Sequence, residues 1–233
     1  LYEINSAAKS FFQKNLNDEV LKYCSDRGLT RETIEEFELG LAPISSDLLL
    51  RNLLSLGFAT ADIERAGLSF RTDRGTYWDR FRGRLMFPIY NSLGKIVGFT
   101  GRILPDASSP ELVEGRAPLA KYVNSPETPI FNKSKILYGL HEAKESIRDL
   151  QLAILVEGQI DFLMSYQSGI KNVVATSGTA LTNDHLKLLR RLTDRLILSF
   201  DSDEAGQKAA ERSIDLALAN DLSVRVLILP EKD

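Results

Sequence analysis

"LAILVEGQIDFLMSYQSGIKNVVAT", residues 152–176, sets two short apolar runs on either side of a helical stretch. The runs "LAILV" (152–156) and "NVVAT" (172–176) read as strands, with "QIDFLMSYQSG" (159–169) as the helix between them. The alternation continues with helix "NDHLKLLRRL" (183–192), strand "RLILSF" (195–200), helix "AGQKAAERSIDLALAN" (205–220) and strand "SVRVLIL" (223–229). In the last helix Ala210, Ile214, Ala217 and Leu218 fall at i, i+4, i+7 and i+8. Short apolar strands separated by helices predict a parallel sheet covered on both faces. In such sheets ligands bind beyond the carboxyl ends of the strands.

That rule gathers four acids. Strand 152–156 runs into Glu157 and Gly158, with Asp161 one turn into the next helix; strand 195–200 runs into Asp201, with Asp203 two residues on. Three readings of "DSDEAG" (201–206) compete. A calcium loop starting at Asp201 needs an oxygen ligand at position 5 and glutamate at position 12. Ala205 and Arg212 stand there instead, so that reading fails. Helix capping is the plain reading, because Asp is a preferred cap before an amphipathic segment. The third is a shared cation. Unit charges brought to about 4 Å repel by about 4 kcal/mol at an effective dielectric near 20, so clustered carboxylates call for a counter-ion. Oxygen donors without histidine or cysteine favour Mg²⁺ or Mn²⁺ over zinc.

Bulk properties narrow the class. The chain has 233 residues, 43% of them hydrophobic, enough for a sizeable core in one or two domains. One cysteine, Cys24, excludes an internal disulfide framework and suits a reducing compartment. Two histidines and that cysteine are too few for a structural zinc site within the chain. No run reaches the ~18 apolar residues of a membrane span, and the first residues lack a secretory pattern. The first residue is leucine, which reads as a piece of a longer protein.

Net charge is −3, yet the charges are not evenly spread. Residues 71–102 carry seven Lys/Arg against Asp73 and Asp79, a local excess of +5 between two acidic regions. A polyanion-binding surface is therefore expected locally. The first 70 residues read as helices, with Asn17 and Thr30 as caps, Gly28 ending one helix and Pro43 closing the next. From Tyr77 the period changes. "WDRFRGRLMFPIY" (78–90), the turn "NSLG" (91–94) and "KIVGFTGRI" (95–103) predict a hairpin with Arg80, Arg82, Arg84 and Met86 on one face. Such a face is either simply solvated or a basic ribbon for phosphates. Residues 104–120 read as a flexible insertion, and "KYVNSPETPIFNKSKILYGLHEAKESI" (121–147) then passes from a proline-punctuated loop into a helix.

The order Glu-Gly, then Asp-x-Asp 44 residues later, resembles the Toprim domain of primases, topoisomerases, recombination mediators and some nucleases, from about Ile154 to Leu229. The upstream stretches are more specific. "DRGLTRETIEEFELGLAP", "YWDRFRGRLMFPIYNSLGKIVGFTGRIL", "KYVNSPETPIFNKSKILYGLHEAK", "VEGQIDFL" and "ATSGTALTNDHLKLL" are together similar to the RNA polymerase core of bacterial replicative primases of the DnaG type, in collinear order over about residues 10–233.

The resemblance implies an α/β architecture. An α+β N-terminal subdomain would span 1–136, carrying the basic hairpin and a nucleic-acid- and nucleotide-binding loop. A Toprim catalytic domain built on a parallel, four-stranded, Rossmann-like sheet would span 137–233, its C-terminal helical part lying beyond this sequence. It implies catalytic roles for Glu157, Asp201 and Asp203, and metal binding by Glu157, Asp161, Asp201, Asp203 and Asp233. Nucleotide or template contacts fall to Arg27, Arg102, Lys121, Asn124 and Lys133, to which the basic stretch adds Arg82 and Arg84.

The implied cofactor is Mg²⁺, replaceable by Mn²⁺, with zinc confined to a further domain outside the chain. Implied partners are a single-stranded DNA template, ribonucleoside triphosphates, the RNA primer and a replicative helicase. The implied place is the cytoplasm at the replication fork, away from any membrane. Three departures stand out: Gln159 and Ile160 where the family favours an aromatic and a Met or Phe, the 104–120 insertion, and an end at "PEKD", which leaves Asp233 without its expected acidic partner. A binding module that has lost catalysis and a Toprim nuclease share the fold; intact Glu157, Asp201 and Asp203 argue against the first.

Overall fold

A computed structural model describes residues 1–105, 120–200 and 204–228. The chain divides into two compact units, Leu1–Ile89 with Lys95–Phe131, and Tyr90–Gly94 with Asn132–Asp233. The α/β class expected from the strand–helix alternation is what the structure has.

The first unit opens with helices α1 (Tyr2–Lys14), α2 (Asp18–Asp26) and α3 (Arg31–Glu36). Asn17 and Thr30 cap α2 and α3 as expected, their side-chain oxygens accepting from Val20 N and Thr33 N. Strand β1 (Gly40–Ala42), helices α4 (Leu48–Ser55) and α5 (Thr60–Arg65), and strands β2 (Ser69–Arg71), β3 (Tyr77–Asp79), β4 (Arg84–Tyr90), β5 (Ile96–Ile103) and β6 (Tyr122–Asn124) follow. One sheet has the order β1-β4-β5-β6; β2 and β3 form a separate antiparallel ribbon. Phe12, Phe81, Phe87 and Phe99 are fully buried here, with Phe12 and Phe99 meeting edge to face at 5.2 Å.

The single long arginine strand does not form. Tyr77–Asp79 pairs with Ser69–Arg71, and a new strand starts only at Arg84. Two features break the run. Asp79 turns inward, its Oδ2 and Oδ1 accepting from Leu49 N (2.8 Å) and Leu50 N (2.9 Å), the orphan donors at the start of α4. Gly83 adopts φ +60°, a left-handed conformation that extended chain cannot continue through. Period-2 alternation across 78–86 therefore spans two strands and a kink. Burial pushes the Asp79 carboxyl up to about 6, against the pull of its two amide donors.

In the second unit α6 (Leu140–Leu150) precedes β7 (Ala153–Val156), α7 (Gln159–Gln167), β8 (Val173–Ala175), α8 (Asn183–Arg190), β9 (Arg195–Phe200), α9 (Glu204–Leu218) and β10 (Ser223–Ile228). The order is β10-β9-β7-β8, all parallel, so β7 lies between β8 and β9. Leu155, Val174, Leu186, Leu189, Leu196 and Leu198 form the core around it. Truncating one such leucine to alanine costs about 2–5 kcal/mol.

Candidate functional site

Leu155 sits opposite Val174 on one side and Leu198 on the other, which brings the carboxyl ends of β7, β8 and β9 to one edge. Glu157 follows β7 directly and is half-buried, while Asp161 is exposed in the first turn of α7. Gly158 N donates to Asp161 Oδ2 at 3.0 Å, so one carboxylate oxygen closes the turn. A Cβ at residue 158 would stand 2.8 Å from that oxygen, so a side chain here would push the Asp161 carboxylate off the turn.

The loop after β8 braces the same turn. Thr176 N donates to Val156 O (3.3 Å), and Gly178 N and Thr176 Oγ1 both reach Glu157 O at 3.4 Å. Ser177 holds a left-handed φ of +60° between them, a conformation costly for a residue with a side chain. The sequence signal for this loop was "TSGT", a turn-rich run at a strand's carboxyl end.

Asp201, Asp203 and Asp233 lie outside the described residues. Among the described residues no group of three His, Cys, Asp or Glu is gathered to hold a metal. The two carboxylates that are described, Glu157 and Asp161, are hard oxygen donors in one turn, a set that suits a divalent cation of the Mg²⁺ or Mn²⁺ kind.

Lys133 opens a short 3₁₀ turn, Lys133–Lys135, in this unit. Its carbonyl accepts from His185 Nε2 at 2.8 Å, and Thr182 Oγ1 donates to Ser134 O at 2.6 Å. His185 is fully buried on α8; burial lowers its pKa, opposed by the carbonyls of Lys133 and Ile136. Gln159 is buried at 2% exposure, so the departure at 159 places a polar side chain inward.

The remaining predicted residues belong to the first unit, where Tyr23 brings two of them, Arg102 and Arg27, together. Arg102, only 6% exposed, donates from Nε to Tyr23 Oη (2.6 Å) and from Nη1 to Tyr122 Oη. Burial alone would lower its pKa; the phenols of Tyr122 and Tyr23 outweigh that and hold it above its ordinary value. Tyr23 also lies under Arg27, whose guanidinium carbon is 5.4 Å from the ring centroid. Lys121 directly precedes β6, and Asn124 ends it, with Asn124 Oδ1 accepting from Thr100 Oγ1. Tyr23 stands four residues before Arg27 on one helix face, a spacing that the sequence offered.

Arg82 and Arg84 part company. Arg84 is buried at 4% exposure, and its Nη1 donates to Gly101 O (3.1 Å) and Ala120 O (3.0 Å). Arg82 lies half-buried over the Trp78 ring, 4.9 Å from its centroid.

Comparison with known proteins finds two families, the first running past Phe131 into the start of the second unit. Residues 6–144 match the family described as DNA primase catalytic core, N-terminal domain, and residues 154–233 match a Toprim-like family. The DNA primase of Pseudomonas aeruginosa is 41% identical over 240 residues, covering 99% of this chain and 34% of the relative. That of Deinococcus radiodurans is 40% identical over 232 residues, covering 99% and 39%. The chain thus spans little more than a third of these relatives. Among solved structures, a DNA primase domain from P. aeruginosa superposes with a TM-score of 0.86 at 41% identity, covering 100% of this chain and 72% of that one. A DnaG primase catalytic domain bound to single-stranded DNA gives 0.83 at 34% identity, covering 100% and 74%.

Proposed function

Because the chain belongs to the DNA primase catalytic-core family, we propose that it makes short RNA primers on a single-stranded DNA template by metal-dependent nucleotidyl transfer. The observation that carries this reading is the central position of β7, which delivers Glu157 and Asp161 to the carboxyl edge of a parallel sheet. Glu157, Asp161, Asp201, Asp203 and Asp233 are the residues that would hold Mg²⁺, or Mn²⁺ in its place; a divalent ion so held supplies Lewis-acid polarisation of the triphosphate and stabilises the leaving pyrophosphate.

The chain's own side chains do the rest. Glu157 takes a proton from the attacking 3′ hydroxyl or steadies the acid cluster. Arg27, Arg102, Lys121, Asn124 and Lys133 bind nucleotide phosphates and template. Arg102, fixed between two phenols, presents a preorganised cation and loses little freedom on binding. Arg82 contacts template from the basic stretch, and Arg84, given its carbonyl partners, supports Lys121 from beneath.

Ribonucleoside triphosphates are substrates in this reading, the primer its product and a replicative helicase its partner through a part of the protein outside this chain. Zinc belongs to a further domain; a zinc-binding domain is named in the solved Aquifex aeolicus primase. No helix among the described residues is long and apolar enough to cross a membrane, and the proposed place of action is the bacterial cytoplasm at the replication fork.

Labelled ribonucleotides, Mg²⁺ and a single-stranded template provide the test. New template-dependent RNA, lost in Asp203→Asn, is expected. Cut DNA would replace this reading with a nuclease, and template binding without either product would replace it with a binding module.

A further inference from the structure

The ribbon of β2 and β3 has two unlike faces. Its register sets Ser69 opposite Asp79, Phe70 opposite Trp78 and Arg71 opposite Tyr77. Side chains alternate across a strand, so Phe70 and Trp78 share one face while Ser69 and Asp79 share the other. The second face is inward: Ser69 and Asp79 are 1% and 3% exposed, and Asp79 is bound to the start of α4. The Phe70–Trp78 face, half-buried, is therefore the outer one.

Each outer ring carries a guanidinium from the stretch just after β3. Arg80 lies 5.7 Å from the Phe70 centroid and Arg82 4.9 Å from that of Trp78. Arg71 shares the Ser69–Asp79 side and folds onto the turn, its Nε donating to Gly75 O at 3.4 Å, while exposed Arg74 stands in the turn at the tip of the ribbon. Two aromatic–arginine stacks side by side, with a further cation at the tip, combine the two elements that grip unpaired strands. Flat π surfaces accept any base, and cations track the backbone. Duplex nucleic acid offers no free base faces to such a surface.

We propose that the outer face of this ribbon is a stacking platform for single-stranded DNA, taking bases on the Trp78–Arg82 and Phe70–Arg80 pairs and a phosphate on Arg74 at the tip. The proposal rests on the template-binding reading above and deepens it, giving the basic stretch a base-contacting surface as well as phosphate contacts.

Trp78 is the only tryptophan in the chain, so its emission reports the ribbon alone. The full chain is titrated with a labelled oligothymidylate while label anisotropy and tryptophan emission are followed together. Emission should be quenched with the same midpoint as the anisotropy. A base-free strand of equal length should bind without quenching. Trp78→Leu should weaken oligothymidylate binding by about tenfold, within the range of one stacked base. Anisotropy that saturates while emission stays constant would overturn the platform and leave template binding standing elsewhere. Equal quenching by the base-free strand would also overturn it, because phosphates alone would then account for the signal. Absence of both signals would remove the template-binding reading, and the platform with it.

Discussion

Tyr23 and Arg102, 79 residues apart in sequence, are joined by a 2.6 Å hydrogen bond from Arg102 Nε to the Tyr23 phenol, while the same ring lies under Arg27. One aromatic side chain thus orients two of the proposed nucleotide-binding cations. Tyr23→Phe keeps the ring under Arg27 and deletes only the acceptor for Arg102. A buried donor left without its partner costs about 1–3 kcal/mol, so the unfolding midpoint in urea should drop accordingly. Nucleotide affinity should fall in the same variant, measured by calorimetry; unchanged stability and affinity would mean the phenol is dispensable.

Arg82 and Arg84 should separate in one experiment. Arg84→Ala strips a buried guanidinium from the Gly101 and Ala120 carbonyls and should destabilise the fold by about 3 kcal/mol. Arg82→Ala gives up its stack on Trp78 and should cost only about 0.5–1 kcal/mol. It should weaken single-stranded DNA binding and flatten its salt dependence by at most ~0.7 log units per tenfold salt, the slope of one phosphate contact. Equal effects of the two substitutions on either measurement would contradict their different surroundings.

Gly158→Ala tests the turn that carries the acids. The added methyl meets Asp161 Oδ2 at 2.8 Å, and that flexible carboxylate can swing aside at little cost to stability. The displaced oxygen should then lower Mn²⁺ affinity, by about tenfold if one ligand is misplaced, equal to ~1.4 kcal/mol. Electron paramagnetic titration of free Mn²⁺ reads this without requiring catalysis. An unaltered affinity would place Asp161 outside the metal's reach.

Asp79 gives the first unit a specific pH response. Its folded pKa near 6 lies above the ordinary 3.8, so folding takes up a proton between those values. Its contribution is full below about 4 and is lost as pH rises through 6. The stability at stake across that window is roughly 3 kcal/mol. Denaturant unfolding across the same window should show that slope in the native protein and lose it in Asp79→Asn.

His185 acts in the opposite direction on the second unit. Its folded pKa is lowered by burial, so its contribution is present above the ordinary 6.5 and fades as pH falls further. His185→Phe preserves bulk but cannot donate to the Lys133 carbonyl. It should remove the acid sensitivity and weaken binding of a nucleoside triphosphate, while His185→Asn should restore part of that binding through its amide. Identical binding in all three proteins would confine His185 to packing.

The second unit was legible in the sequence because its strands are short apolar runs spaced by helices, and the observed ends fall within two residues of those expected. Glu157 and Asp161 were legible for the same reason, since sheet topology alone fixes where strand ends lie. The first unit was harder. β1 is three residues between Phe37 and Pro43, too short to carry a period, and was absorbed into a helical reading. The alternating arginines matched a strand pattern, but tertiary bonds decided otherwise: Asp79 caps a helix 30 residues upstream, and Arg84 finds backbone carbonyls. No local pattern announces a side chain whose partner is that far away. Tyr23 and Tyr122 carry no charge, so no local signal marks them as part of the site, although the cations depend on them for orientation.

The strand order also bears on how this protein is made. β7 pairs with β8 across one short helix, but its pairing with β9 must wait until the chain has passed Phe200. A ribosome delivers β7 and β8 first, then β9 some 40 residues after β7, at about 5–20 residues per second. During that interval of seconds one edge of β7 stands unpaired, an invitation to pair with another chain. The edge that gathers the acids is consequently among the last parts of the unit to be assembled, and any fragment released before Arg195 would expose an apolar strand without the means of covering it.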